Sequence, residues 1–434
     1  MILYSTQQKS SDVSFEEAIF RGLPPDNGLY MPTEIQRMPA AIFEQIHTMT
    51  LPEIAEAVCQ NLLGHDLSPA EIKSIITSSM TFEAPLFDLE PGVQVLELFH
   101  GPSMAFKDFG ARFMAAVMSH YLQKHQREIR ILVATSGDTG GAVAQGFFQT
   151  PGISVTILYP SGKVSDIQEK QLTTLGGNVQ ALEIDGTFDD CQRLVKQAFL
   201  DEELRGQFNL ASANSINIAR LIPQSFYYFA AYAALRKQGN QKPVVFSVPS
   251  GNFGNLSAGL MAYQMGLPVQ AFIAACNENH PVPDYLASGI YEPSPSVETI
   301  SNAMDVGSPS NFVRMQILAG AEWSKVASLV KGYATDDDKT KEVMADVFAG
   351  TGYIMCPHTA VGYDGLMQYQ AENSGDYMGV VLSTAHYAKF LPTVEAVLGQ
   401  RVPVPQRLAD LLDLQKKSVR LGTDFEGFKA YLLA

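Results

Sequence analysis

The chain of 434 residues contains no run of 18 or more apolar residues. Its start, Met1-Ile2-Leu3-Tyr4-Ser5-Thr6, has neither the basic segment nor the apolar block of an export signal. Together these predict a soluble chain that neither crosses a membrane nor is exported. Cysteine is scarce: Cys59, Cys191, Cys276 and Cys356 lie far apart with no CxxC spacing. That gives no disulfide framework, argues against a zinc or other metal site, and makes a reducing cytoplasm the expected location. Basic residues are in deficit, 30 Lys and Arg against 45 Asp and Glu, for a formal net charge of -15. Nucleic-acid and anionic-membrane partners are therefore not expected. A small anionic ligand remains compatible, because salt screens distant carboxylates and one pocket can hold an anion on helix N-termini, amides and a cation. Also missing are GxGxxG, a Walker loop, GxSxG, HExxH, internal repeats and low-complexity tracts.

What is present is a globular, 46% hydrophobic chain, long enough for two or three domains. Val- and Ile-rich segments end in Gly/Ser loops and lead into helical patterns, the alternation of an α/β protein with a mainly parallel sheet. Residues 131–134 run into Thr135-Ser136-Gly137-Asp138-Thr139-Gly140-Gly141, and residues 244–248 into Pro249-Ser250-Gly251-Asn252-Phe253-Gly254-Asn255. Residues 380–382 lead into Ser383-Thr384-Ala385-His386. Further strands are expected at 155–159, 179–184 and 272–275, and a long buried helix at 218–235. Ser14 and Leu51-Pro52 mark helix starts in an N-terminal layer, and Asp336 caps a helix or faces solvent.

Lys107 stands between Phe106 and Phe109, in Phe99-His100-Gly101-Pro102-Ser103-Met104-Ala105-Phe106-Lys107-Asp108-Phe109-Gly110. Desolvation there would lower its pKa and free the amine as a nucleophile. A lysine beside aromatics also commonly lays its stem along apolar surface, and a Gly-rich turn is commonly just a strand-to-helix link. The loop holding Gly251, Asn252, Phe253, Gly254 and Asn255 has the glycines and the following helix that suit phosphate.

With Gly22 to Tyr30, Gly162-Lys163-Val164-Ser165, Asn214-Ser215-Ile216-Asn217, Asn302 to Gly307, Pro357 to Gly362 and Ser383 to Phe390, these motifs make the chain resemble the threonine synthase family nearly end to end. Asn27 stands where a Gly is usual, and Tyr387 where a Pro is usual. The resemblance implies a fold type II pyridoxal 5'-phosphate enzyme of the tryptophan-synthase-β type: α/β, two open, mainly parallel sheet domains with helices on both faces, plus an N-terminal extension. The expected units are residues 1–90, 91–215 and 216–434. Lys107 would be the Schiff-base lysine. Gly251, Asn252, Phe253, Gly254 and Asn255 would hold the cofactor phosphate, Thr384 the pyridine nitrogen, and Asp138 would lie at the ring's hydroxyl edge. Ser136 and Thr139 would meet the substrate carboxylate, with Lys163, Ser165, Asn217 and Arg220 around the substrate phosphate. The implied substrate is O-phospho-L-homoserine, converted with water to L-threonine and phosphate by a monomer or homodimer. A phospho-lyase giving 2-oxobutyrate, a serine/threonine dehydratase and a non-catalytic binding protein stand as alternatives. The histidines His100, His358 and His386 are read as orienting backbone or packing.

Overall fold

Along the central strands, neighbouring side chains enter different cores. Val244, Phe246 and Val248 join one apolar cluster while Val245 joins another, and Phe272 and Ala274 alternate in the same way with Ile273 and Ala275. Such strands are buried on both faces, which explains why they read as continuous apolar runs. The computed structural model describes every residue except Ser136.

The larger sheet has six strands in the order Val330–Ala334, Ala271–Cys276, Val244–Pro249, Met378–Ser383, Val93–Glu97, Leu86–Glu90. All its pairings are parallel except the last. The smaller sheet is parallel throughout, in the order Val419–Leu421, Val179–Ile184, Ile153–Pro160, Ile129–Ala134, Leu210–Ala211. Ile131, Val133 and Ile157 share the large cluster with one face of the larger sheet, and Leu132, Leu158 and Leu182 face away into their own. Ile2–Ser5, Val13–Ser14 and Tyr30–Pro32 form a small antiparallel sheet whose Leu3 and Tyr30 are buried in that shared cluster.

Local chemistry accounts for the helix starts in this N-terminal layer. Thr50 and Ser68 each accept from the amide three residues on, while Glu53 and Glu71 reach back, closing two capping boxes with Pro in the first turn. Ser14 caps Phe15–Arg21 with half a box, since Glu17 turns instead to Arg21 at 2.7 Å. Asn27 has φ 61, a conformation that Asn tolerates better than most residues other than Gly. Asp336 caps Asp337–Thr351.

Two expectations change. The helix expected at 218–235 is divided into Ile218–Leu221, a tight 3₁₀ turn Ile222–Ser225 and Phe226–Lys237, with Pro223 removing one backbone donor at the break. The sheets also do not follow the expected division of the chain. Val93–Glu97, expected with the smaller unit, pairs with Met378–Ser383, whereas Val419–Leu421, expected with the larger, pairs with Val179–Ile184. Val93, Val95 and Leu96 are all buried, so this strand needs cover on both faces, which an interior place in the larger sheet provides.

Candidate active site

Val93–Glu97, Met378–Ser383 and Val244–Pro249 lie side by side, so the segments following them emerge together at one sheet edge, the usual ligand edge of an open α/β sheet. The Phe106 amide donates to the Thr384 carbonyl at 2.8 Å, and the His386 amide to that of Met104 at 3.1 Å. Ala105 and Ala385 form an isolated bridge between these bonds. Lys107 therefore opens the helix Lys107–His125 from a segment stitched to Ser383-Thr384-Ala385-His386.

After Val244–Pro249 the chain turns sharply. The Ser250 amide is held by the Ala275 carbonyl at 2.8 Å. A Cβ on Gly251 would stand 2.7 Å from the Met304 Cα, so only glycine allows this approach. Phe253, at φ 60, leads into Gly254–Gln264, a helix with no side-chain cap and a buried first turn. Uncapped, buried amides at a helix start suit an anion. The Asn252 side chain ties the loop to Ser215 and Ser310. That of Asn255 accepts from Tyr227 and Tyr228 at 2.6 and 2.8 Å, leaving its buried Nδ2 without a partner among the described residues.

Burial pushes the Lys107 amine down to about 8, with Asp138 opposing and the charges of Lys389 and Arg220 assisting. Its Nζ lies 5.7 Å from the Phe106 ring centroid. Asp138 is buried at the start of the helix Asp138–Phe147 and pairs with Lys389 at 2.6 Å. Burial alone would raise its pKa, but the ammonium groups of Lys389 and Lys107 prevail and hold it well below the usual carboxylate range. Lys389 also donates to the Ser103 carbonyl at 3.0 Å. Asp108 is buried beside Lys107, and desolvation pushes its carboxyl up to about 6 although it accepts from the Ser103 amide at 2.8 Å. An amine with a lowered pKa, uncapped amides at a helix start and an unpartnered amide donor suit a phosphorylated aldehyde such as pyridoxal phosphate.

Comparison with known proteins agrees. Residues 83–384 match the family model described as pyridoxal-phosphate dependent enzyme, residues 3–80 threonine synthase N terminus, and residues 359–432 threonine synthase, C-terminal. The threonine synthase of Escherichia coli is 42% identical over 433 residues, covering 100% of this chain and 99% of that protein. The chain belongs to the threonine synthase family. The crystal structure of the Escherichia coli threonine synthase superposes with a TM-score of 0.91 over 100% of this chain and 99% of that one. The pyridoxal-phosphate-bound threonine synthase of Brucella melitensis, 34% identical, gives 0.94 over 100% and 98%. The activity is that of a threonine synthase and the cofactor is pyridoxal phosphate, which favours this reading over the lyase, dehydratase and binding-protein alternatives. No helix among the described residues is long and apolar enough to cross a membrane.

Other threonine synthase residues named from sequence fall in varied settings. Thr384 is buried and its carbonyl holds the Lys107 segment. Thr139 is partly exposed in the first turn of Asp138–Phe147, and Ser136 lies outside the described residues. Arg220 stands not at a pocket mouth but 1% exposed, packed on the Lys107 helix where a Gly110 Cβ would be 2.9 Å from its Nε. Burial lowers its pKa to about 10; it donates to the Ala213 carbonyl, and its Nε has no partner among the described residues. Lys163 is exposed in the turn after Ile153–Pro160. The Asn217 amide is occupied on both sides, capping Ala219 and donating to Ile19, so burial and bonding direct it away from a ligand. Ser165 caps Asp166–Thr173 through a box with Gln168, whose Nε2 donates to Asp138 at 3.1 Å. Tyr387 packs its ring 4.2 Å from His386 and donates to the Pro403 carbonyl. Sequence reasoning missed Lys389, Gln168 and Asp108, although Lys389 and Asp108 sit inside the quoted motifs.

Proposed function

We propose that the chain converts O-phospho-L-homoserine and water to L-threonine and phosphate, with Lys107 carrying the cofactor and moving the protons. Bound pyridoxal phosphate supplies the electron sink that makes the substrate's Cα and then Cβ hydrogens acidic. Lys107 would hold the cofactor and, as a free amine, would accept each of these protons, a task favoured by the burial that lowers its pKa from the ordinary lysine value. The backbone amides of Gly251, Asn252, Phe253, Gly254 and Asn255, with the Asn255 Nδ2, hold the cofactor phosphate. The Thr384 hydroxyl meets the pyridine nitrogen, where a neutral donor limits side reactions.

Asp138, anchored by Lys389 and Gln168, stays ionised and orients the ring's hydroxyl edge, and Ser136 and Thr139 take the substrate carboxylate. Arg220 and Lys163 bring positive charge toward the substrate phosphate, with Ser165 and Asn217 shaping the loops that carry them. The four cysteines are free and buried, which suits a reducing cytoplasm.

The observation that carries this reading is the double backbone tie between the Lys107 and Thr384 segments. It sets the Lys107 and Thr384 segments side by side, which supports the roles proposed for the two side chains. The experiment is to incubate the holoenzyme with O-phospho-L-homoserine and quantify threonine, 2-oxobutyrate and phosphate together. Threonine equal to phosphate is expected; 2-oxobutyrate equal to phosphate, or no phosphate at all, refutes the reading.

A further inference from the structure

His358 lies in the first turn of Pro357–Glu372 and is 3% exposed. Its Nε2 accepts a hydrogen bond from the Ala303 amide at 3.1 Å. An acceptor nitrogen carries no proton, so the proton of the neutral ring sits on Nδ1. Burial holds the ring neutral by pushing its pKa down to about 4, with Asp138 opposing and the charges of Lys107 and Lys389 assisting. The tautomer is thus fixed from behind, by the segment Asn302–Met304 that also packs on Gly251. The ring leans on Phe390, 4.9 Å between centroids, and cannot swing away without leaving that contact. Yet the Nδ1 donor itself is buried without a partner among the described residues. Buried donors are nearly always satisfied, so one held rigidly beside the lysine and carboxylate of an active site points to a ligand acceptor.

We propose that the His358 Nδ1–H donates to an anionic oxygen of the amino-acid substrate, making His358 a substrate-binding residue of this synthase. The inference rests on the substrate assignment above. A neutral imidazole suits the task, because it binds the anion without giving it a proton at any pH above the range where the ring itself charges.

Two substitutions separate the ligand role from the structural one. His358→Gln sets an amide oxygen near the Nε2 position, retaining the bond to Ala303 and deleting the Nδ1 donor. His358→Asn sets an amide NH₂ near Nδ1 and deletes the Ala303 bond. Each holoenzyme is titrated with L-threonine and, separately, with inorganic phosphate, following the cofactor spectrum, and the Kd for pyridoxal phosphate is measured on the apoprotein. For His358→Gln, affinity for one of the two probes is expected to fall about 10- to 100-fold, the range for a hydrogen bond to a charged partner. Cofactor affinity should stay within about threefold of wild type on the same reasoning, since no cofactor bond is lost. Loss confined to L-threonine identifies the carboxylate as the acceptor; loss confined to phosphate identifies the phosphate group. His358→Asn, if it folds, is expected to bind the affected probe better than His358→Gln. Wild-type affinity for both probes in His358→Gln, or a loss confined to cofactor binding, overturns the proposal. A wild-type enzyme that releases no phosphate from O-phospho-L-homoserine fails the functional reading instead.

Discussion

Lys389→Met leaves the Asp138 carboxylate buried without the ammonium 2.6 Å away. The side chains are 0% and 5% exposed, so water does not replace the lost partner. Methionine nearly matches lysine in length and volume, which keeps cavity formation small. What remains for Asp138 is the Gln168 amide at 3.1 Å and the charge of Lys107. Breaking one side of a buried ion pair costs about 3–5 kcal/mol. For a chain of 434 residues with an unfolding entropy of about 2.1 cal/mol/K per residue, that predicts a fall in apoprotein Tm of roughly 3–6 °C. The double variant Lys389→Met/Asp138→Asn removes both charges and should regain most of the loss. Urea titration and calorimetry of wild type, both single variants and the double variant form the assay. A Lys389→Met protein within about 1 kcal/mol of wild type, or a double variant no more stable than Lys389→Met, would refute the claim that the pair is buried and coupled.

Lys107 in the apoprotein should react with an amine-specific reagent with an apparent pKa of about 8. Because its folded pKa lies below the ordinary 10.5, the unfolded chain binds more protons between those values, so this group makes stability rise with pH from about 8 to about 10.5. Lys107→Met should remove that increment in paired urea titrations. Asp108 behaves oppositely: its carboxyl is pushed up to about 6 from 3.8, so it costs nothing below about 4 and its full penalty, on the order of 3 kcal/mol, above 6. Asp108→Asn should therefore be more stable than wild type at pH 7.5 and lose the decline between pH 4 and 6; equal pH profiles would contradict this. Gly251→Ala forces a Cβ to within 2.7 Å of the Met304 backbone, and should weaken pyridoxal phosphate binding at least about tenfold in equilibrium dialysis, the loss of one or more charge-assisted bonds.

The legible parts of the molecule were those whose signals are local. Val244 to Val248 announces a strand because every position is apolar or small, and the glycines after it announce a turn. The gathering of Lys107, Thr384 and the Gly251 loop came from family motifs, and its physical cause, adjacent parallel strands, is a matter of long-range pairing. Ser165 and Asn217 show how one local pattern carries two meanings. Ser and Asn before a helix serve equally as ligand contacts or as caps, and here their side chains act as caps. Lys389 was hidden because a buried partner far along the chain, Asp138, and not its neighbours in sequence, defines it, whereas His358, read as orienting backbone, does accept from the Ala303 amide. Pro223 was visible inside the expected helix, but apolar periodicity outweighed it there; its missing donor is what divides the observed element.

The exchange of strands between the sheets bears on how the chain is assembled at the ribosome. Val179–Ile184 emerges long before Val419–Leu421, so until the C-terminal segment appears the smaller sheet presents an open parallel edge. Exposed edges of this kind recruit other strands, including those of neighbouring nascent chains. Closing that edge is thus a docking step in which Val419–Leu421 pairs with it and the helix Phe425–Leu433 follows, with Phe428 and Leu432 entering the cluster of Leu158 and Leu182. A chain stopped before residue 419 would keep every active-site residue discussed above and still carry a surface suited to aggregation.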